Sequence, residues 1–226
     1  MNEGEFQATR ESVLALAEAL QLPLLRLKLS SEKVGQESDI AIIAEHALRD
    51  IDAFITTVHD AYGQQLAMST VSLGAVLHDV AAIVEPYARL NDVEVVIDDH
   101  AGHQPVVADA RLLRLGYELV GKALCDLPCD APNKQLILRA DTRHGYPRLG
   151  AYHSDTHISA YDMTLVRKLF GSSRINAGQF HQAGALRIMV ARRLLGSLGL
   201  RVRSAKSDGK FGVAMQLLPS IQLGMF

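Results

Sequence analysis

Residues 105 to 127 read Pro105-Val106-Val107-Ala108-Asp109-Ala110-Arg111-Leu112-Leu113-Arg114-Leu115-Gly116-Tyr117-Glu118-Leu119-Val120-Gly121-Lys122-Ala123-Leu124-Cys125-Asp126-Leu127. The stretch changes character partway. Pro105-Val106-Val107 is a short β-branched run and reads as a strand. From Asp109 the apolar residues recur at helical spacing until Pro128 stops them. A strand passing straight into a helix marks a mixed layer, and the flanks repeat the theme. Upstream, Val93-Glu94-Val95-Val96-Ile97 reads as another strand. Before it, Ser72 can cap a helix through Leu73, Val76, Leu77, Val80, Ile83 and Val84, with Pro86 in its later part. Residues 64 to 71 read as a joint.

Downstream, Gln135–Ala140 and Arg148–Tyr152 read as a hairpin around Arg143-His144-Gly145-Tyr146-Pro147. A short helix fits Asp162–Phe170, a Gly/Ser-rich loop spans Gly171 to Gly178, and a helix fits His181–Leu198. Strands Arg201–Ser207 and Phe211–Leu218 close the chain around Asp208-Gly209-Lys210, where Asp-Gly is a strong hairpin turn.

The first part of the chain is different. Phe6, Val13, Leu16, Leu20, Leu24 and Leu27 form one helical stripe, with a kink expected at Pro23. After a polar break at residues 30 to 36, a second helix from Ser38 to Tyr62 carries the stripe Ile40, Ile43, Ala47, Ile51, Phe54, Val58 and Tyr62. Two such helices with a short joint predict an antiparallel hairpin. A hairpin alone buries little surface, so a homodimer through residues 5–62 is expected, forming a four-helix bundle. The fold class is α+β: a helical hairpin over residues 1–68, then an α/β sandwich over 69–226 with helices on one face of a sheet.

Composition excludes several classes. The 226 residues are 48% hydrophobic and carry a formal net charge of -2, enough apolar material for a core and too little charge for disorder. No Lys/Arg cluster with interleaved aromatics points to nucleic acid. No apolar run approaches the roughly 18 residues of a membrane span. The start, Met1-Asn2-Glu3-Gly4-Glu5, is acidic and unlike a signal peptide, so a cytoplasmic protein is expected. Cys125 and Cys129 sit in a helical pattern and read as thiols.

The order of elements and several phrases resemble the sensor histidine kinase core. Ala15-Leu16-Ala17-Glu18-Ala19-Leu20-Gln21-Leu22-Pro23-Leu24 is similar to the phosphoacceptor box, in which a His precedes Pro by five residues. Val106–Leu113 resembles the segment before the asparagine box, where Leu119–Leu124 then falls. Ala183–Gly199, Arg201–Ser204 and Phe211–Pro219 resemble the last glycine box, its helix and the closing hairpin. The resemblance implies a dimerisation and phosphotransfer hairpin joined to an ATPase-like domain, with ATP and Mg²⁺ as the family's cofactors. It also implies a response regulator or another kinase as partner, docking on the surface between residues 10 and 60.

The chemistry departs from that pattern. Glu18 stands at the phosphoacceptor position and Ala19 at the acidic neighbour. A carboxylate cannot replace the imidazole nucleophile. Lys122 stands where the family's asparagine holds Mg²⁺, and an ammonium donates hydrogen bonds without ligating a cation, although it could still touch a phosphate. The adenine-binding box reads His153-Ser154-Asp155-Thr156-His157, so Asp155 and His157 replace the glycines that admit a ligand. In the last box Ala183, Ala185 and Arg187 replace glycines. The resemblance thus implies a degenerate member, a pseudokinase working by dimerisation and partner binding.

Two alternatives stay open. One is an active kinase or phosphotransferase with a shifted acceptor at His46, His59 or His78, since residues 1 to 36 hold no histidine; His46 falls on the polar side of its helix and reads as a solvated residue. The other is a ligand or metal sensor, because His153, Asp155 and His157 alternate along the chain and could share one side, though no fixed metal motif is matched. Arg192, Arg193, Arg201 and Arg203 are close in sequence, and the last two read as a solvated basic face.

Overall fold

The fold is given by a computed structural model, which describes residues 17, 20–21, 24–25, 27–29, 31, 39–60, 66–100, 104–126, 133–153 and 183–220. The chain divides into two compact units, Met1–Gln64 and Gln65–Phe226.

In the first unit the described residues between 17 and 31 are helical, and α1 spans Asp39–Asp60. Polar pairs join the two stretches in opposite chain directions: Gln21 Nε2 donates to Asp52 Oδ1 at 2.7 Å, and Lys28 Nζ lies 3.0 Å from Glu45 Oε2. The bond from Lys28 holds the Glu45 carboxyl below its ordinary range, against the opposing effect of burial. Ala44, His46, Ala53 and Thr57 are buried on α1, whereas Ile40 and Ile43 of the expected stripe are 52% and 55% exposed. His46, expected on the surface, is only 4% exposed. The expectation rested on the single apolar stripe, and His46 lies with the buried Ala53 and Thr57 on a side of the helix that the stripe does not mark.

The second unit begins with a strand where a joint was expected. β1 (Met68–Ser72) pairs antiparallel with β3 (Pro105–Asp109), Met68 opposite Asp109. A five-residue run with four exposed positions gives little periodic signal, and its partner lies far away in sequence. Between them run α2 (Leu73–Leu90) and β2 (Val93–Asp99). Ser72 caps α2 as expected, its Oγ accepting from Ala75 N at 3.4 Å, and Pro86 lies within the helix.

After β3 come α3 (Ala110–Cys125), β4 (Lys134–Arg143), β5 (Tyr146–His153), α4 (Ala183–Ser197), β6 (Arg203–Ser207) and β7 (Lys210–Gln216). The larger sheet has the order β2-β4-β5-β7-β6, with β2 and β4 parallel and the other neighbours antiparallel. The β4–β5 turn is tighter than expected: only His144 and Gly145 lie outside the strands, both at positive φ (53° and 80°). Asp208 and Gly209 turn the last hairpin with φ of 51° and 81°. Such pairs suit two-residue hairpins because their twist matches that of the strands. The expected helix Asp162–Phe170 and loop Gly171–Gly178 lie outside the described residues.

Helices α2, α3 and α4 form one layer, α3 packing between the other two. Alternate strand positions feed the core beneath them: Leu136, Leu138 and Ala140 on β4, Leu149 and Ala151 on β5, Val213 and Met215 on β7. The opposite face of the sheet is mixed: it carries the charged Asp98, Arg139, Asp141 and Arg148 beside the buried Ile137 and Tyr152. Gly212 is required by close approach, since a Cβ there would lie 2.0 Å from the Ala151 carbonyl oxygen.

Asp109 locks the entry to α3. Its Oδ1 accepts from Arg111 N and Leu112 N at 3.0 and 3.1 Å, satisfying two of the helix's first amides, and its Oδ2 accepts from Ala67 N at 3.0 Å. One carboxylate therefore caps α3 and holds the start of β1. Replacing it, Asp109→Ala, is expected to lower the stability of the second unit by about 1–2 kcal/mol. Urea unfolding should show a lower midpoint at unchanged slope, and Asp109→Asn should recover part of the loss.

Candidate functional site

The site that the sequence singles out lies at one end of the sheet. Tyr117 Oη donates to the Gly150 carbonyl at 2.7 Å, which sets α3 over β5. One turn further on, a Cβ on Gly121 would touch Val84 and Leu136, and Leu136 is the register partner of His153. Lys122 and His153 are thus carried to the same end of the sheet by neighbouring elements. Asp155 and His157, with Glu18 and Ala19, lie outside the described residues. Of the three metal candidates only His153 is described, and no metal-ligand cluster occurs among the described residues.

Lys122 is fully buried, and its Nζ lies 2.7 Å from Glu118 Oε1 one turn earlier, itself only 3% exposed. Every residue from Gly116 to Cys125 is buried. A charged amine in such a place needs a counter-charge, and the i,i+4 spacing supplies one from the same helix. Glu118 was missed in the sequence. The signal was there, a Glu four residues before a Lys, but the spacing is common on solvent-facing helices and says nothing of burial. His153, the last residue of β5, is also fully buried, between Leu136 of β4 and Phe211 of β7.

A second cluster closes the helical layer nearby in sequence. Tyr87 Oη (α2) donates to Asp126 Oδ1, the residue capping the end of α3, at 2.5 Å. Arg187 Nη1 (α4) donates to Tyr87 Oη at 2.6 Å and to Asp126 Oδ2 at 2.5 Å, and its guanidinium lies 4.7 Å from the Tyr87 ring centre. Burial, then the hydrogen bond to Asp126, pushes the Tyr87 phenol up to about 12. Burial and the adjacent Asp126 likewise raise the Cys125 thiol to about 12, which makes it a poor nucleophile. Arg187 stands at one of the expected glycine positions. Its side chain, only 11% exposed, is bound to the protein itself.

Both cations of this region are therefore engaged with side chains of the protein. The Lys122 amine is paired with Glu118, and Arg187 is bonded to Asp126 and Tyr87. The Glu118–Lys122 pair is a structural element, so breaking it by Lys122→Ala should cost about 3–5 kcal/mol. The apolar pair Glu118→Leu with Lys122→Met should come within about 1–2 kcal/mol of wild type or exceed it. Chemical denaturation of the single and double variants separates these outcomes.

No family model matches the sequence, and no curated protein does. Solved structures do. Full-length ShkA in complex with AMPPNP matches over 93% of this chain with a TM-score of 0.55 and 15% identity, and this chain spans 46% of that structure's length. The catalytic domain of the histidine kinase ThkA matches over 68% of this chain and 99% of its own, with a TM-score of 0.51 and 12% identity. The Acinetobacter baumannii histidine kinase AdeS matches over 88% of this chain and 94% of its own, with a TM-score of 0.50 and 14% identity. At such identities the likeness concerns the fold, and the fold of this chain is histidine-kinase-like.

Proposed function

We propose that the chain is a two-component signalling protein that has kept the histidine-kinase architecture and lost its phosphoryl chemistry, acting through dimerisation and the binding of a protein partner. The observation that carries this reading is the buried Glu118–Lys122 pair. Replacing a neutral Mg²⁺ ligand with an ammonium removes the ligand, and pairing that ammonium internally also removes it from contact with phosphate. Arg187 supports the same reading, because a glycine position that should admit a ligand holds a long side chain bonded to Asp126 and Tyr87. Among the histidines considered as shifted acceptors, His46 is buried and His78 is exposed on α2. Glu18 at the acceptor position has no nitrogen to phosphorylate.

The test is a calorimetric titration with ATP and ADP, each with and without Mg²⁺. No heat and no thermal stabilisation at millimolar nucleotide are expected. Micromolar affinity, about -8 kcal/mol, or acid-labile phosphate appearing on a histidine, would overturn the reading in favour of an active enzyme.

The dimer rests on a separate observation. Leu20, Leu25, Leu27, Leu29, Ile40 and Ile43 of the first unit are each 43–55% exposed in the single chain. Such apolar side chains are the material of an interface between copies, and an antiparallel hairpin paired with a second copy would cover them. A response regulator or a second kinase is the partner class that the resemblance implies, docking between residues 10 and 60. Wild-type protein is expected to run as a dimer in light-scattering chromatography, and Ile40→Asp with Ile43→Asp as a monomer. A wild-type monomer even at high loading concentration would sink the dimer.

A further inference from the structure

Along β6 and the β4–β5 turn lies an open cleft of about 550 Å³ with a strongly basic lining. Arg143 and His144 reach it from the β4–β5 turn, Arg148 from β5, Arg201 from the segment before β6, and Arg203 and Lys206 from β6. Arg148 lies five residues, about 17 Å, along β5 from His153, while Lys206 shares the register row of His153 through Phe211. The cations differ in their commitments. Arg148 is held by Asp141 through two hydrogen bonds, and the Lys206 amine lies 5.0 Å from the Phe211 ring centre. Arg143, Arg201 and Arg203 are exposed and have no ion-pair partner among the described residues. In a chain whose formal net charge is -2, this one-sided concentration of cations is local rather than a general bias.

The cleft does not end in solvent-facing polar surface. It shares Gly199 and Gln216 with a neighbouring apolar groove of about 360 Å³, lined by Met68, Val107, Tyr146, Leu198, Leu217 and Leu218. Met68, Val107, Tyr146 and Leu218 are 48%, 42%, 45% and 69% exposed. Cations alone would suit any anion. Cations beside exposed aliphatic and aromatic side chains suit a ligand with carboxylates on one side and bulky apolar groups on the other. A phosphate ion has no use for the apolar groove, and a nucleic acid would need a longer basic track.

We propose that the Arg143–Arg201–Arg203 cleft and the Tyr146–Leu218 groove together form a docking surface for an acidic polypeptide segment that carries a bulky apolar anchor. The guanidinium groups pair with its carboxylates in the planar, two-point manner that arginine favours. Tyr146, Leu218 and Met68 take the anchor, which supplies most of the affinity, while the exposed charges set orientation and association rate. This inference deepens the partner-binding reading and names one surface for it. It involves neither nucleotide nor the hairpin, so its failure would leave the titration and dimer tests of that reading untouched.

The experiment uses the full chain and a fluorescent ten-residue peptide in which Asp and Glu flank a Phe-Leu pair. The controls are the same peptide with Ser-Ser in place of Phe-Leu, and sodium tripolyphosphate as competitor. Anisotropy should report saturable binding that weakens as salt rises. R201E with R203E, both exposed and checked for folding by their melting curve, should weaken binding at least about tenfold, and Leu218→Ser should weaken it while leaving most of the salt dependence. Equal binding of the Ser-Ser peptide, or an unchanged affinity in the charge-reversed variant, would overturn the proposal. So would the absence of binding, or displacement by tripolyphosphate at concentrations below those of unlabelled peptide, which would mark a small-anion site.

Discussion

A charge buried in a helix that touches no water must find its opposite within reach, and the second unit is organised around that requirement in α3. From Gly116 to Cys125 the helix has no exposed residue, because the sheet lies under it and α2 and α4 flank it. Gly116 faces Leu195 of α4 and Gly121 faces Val84 of α2, so at two points the helix has no side chain of its own and its neighbours close in. In that setting Glu118 and Lys122 are tolerable only as a pair. The mutual attraction offsets a desolvation cost of several kcal/mol per ion. The geometry also explains why the pair is local. Two charges one turn apart on one helix need no tertiary contact to meet.

The two faces of the sheet follow opposite rules. Beneath the helices, alternate positions are aliphatic and carry no charge that needs a partner. On the other face Arg139 acts as a strap. It donates to Asp98 of β2 at 2.6 Å, to Ser207 of β6 at 2.5 Å and to Asp208 of the last turn at 2.7 Å, with the Tyr152 ring 5.7 Å from its guanidinium carbon. Burial works against its charge, but the bonds to Asp208 and Asp98 outweigh that and raise its pKa. Tyr152 folds back over Gly150, where a Cβ would come within 2.6 Å of the ring, and this clears the space the arginine needs. The outer strands β2 and β6, far apart in the sheet order, are in this way held by one side chain.

Much of this was legible in the sequence because it is written in short-range signals. Asp208-Gly209 announced its hairpin, Ser72 its helix, and the β-branched runs their strands. What the sequence hid was long-range. β1 is polar and five residues long, and it exists because β3 offers it a register and Asp109 holds its entry. His46 was misplaced because the apolar stripe does not mark the side of the helix on which His46, Ala53 and Thr57 are buried. Arg187 and Lys122 were picked out as departures from a pattern, but only the structure supplies what they do. Their partners, Asp126, Tyr87 and Glu118, carried no mark of function.

Those partners sharpen the meaning of the departures. A binding site that is merely decaying should leave polar groups stranded where a ligand once satisfied them, since buried unpaired groups cost about 1–3 kcal/mol each. Here Lys122 is paired with Glu118, and Arg187 with Asp126 and Tyr87. Internal pairing of this kind stabilises the empty fold, and binding sites and stability trade against one another for that reason. A protein selected for ATP chemistry would be penalised for filling its site. One selected for a durable scaffold that presents surfaces to other proteins would gain from it. On the proposed reading, the exposed apolar side chains of the first unit and the mixed basic and apolar surface of the second are the surfaces that partners would meet.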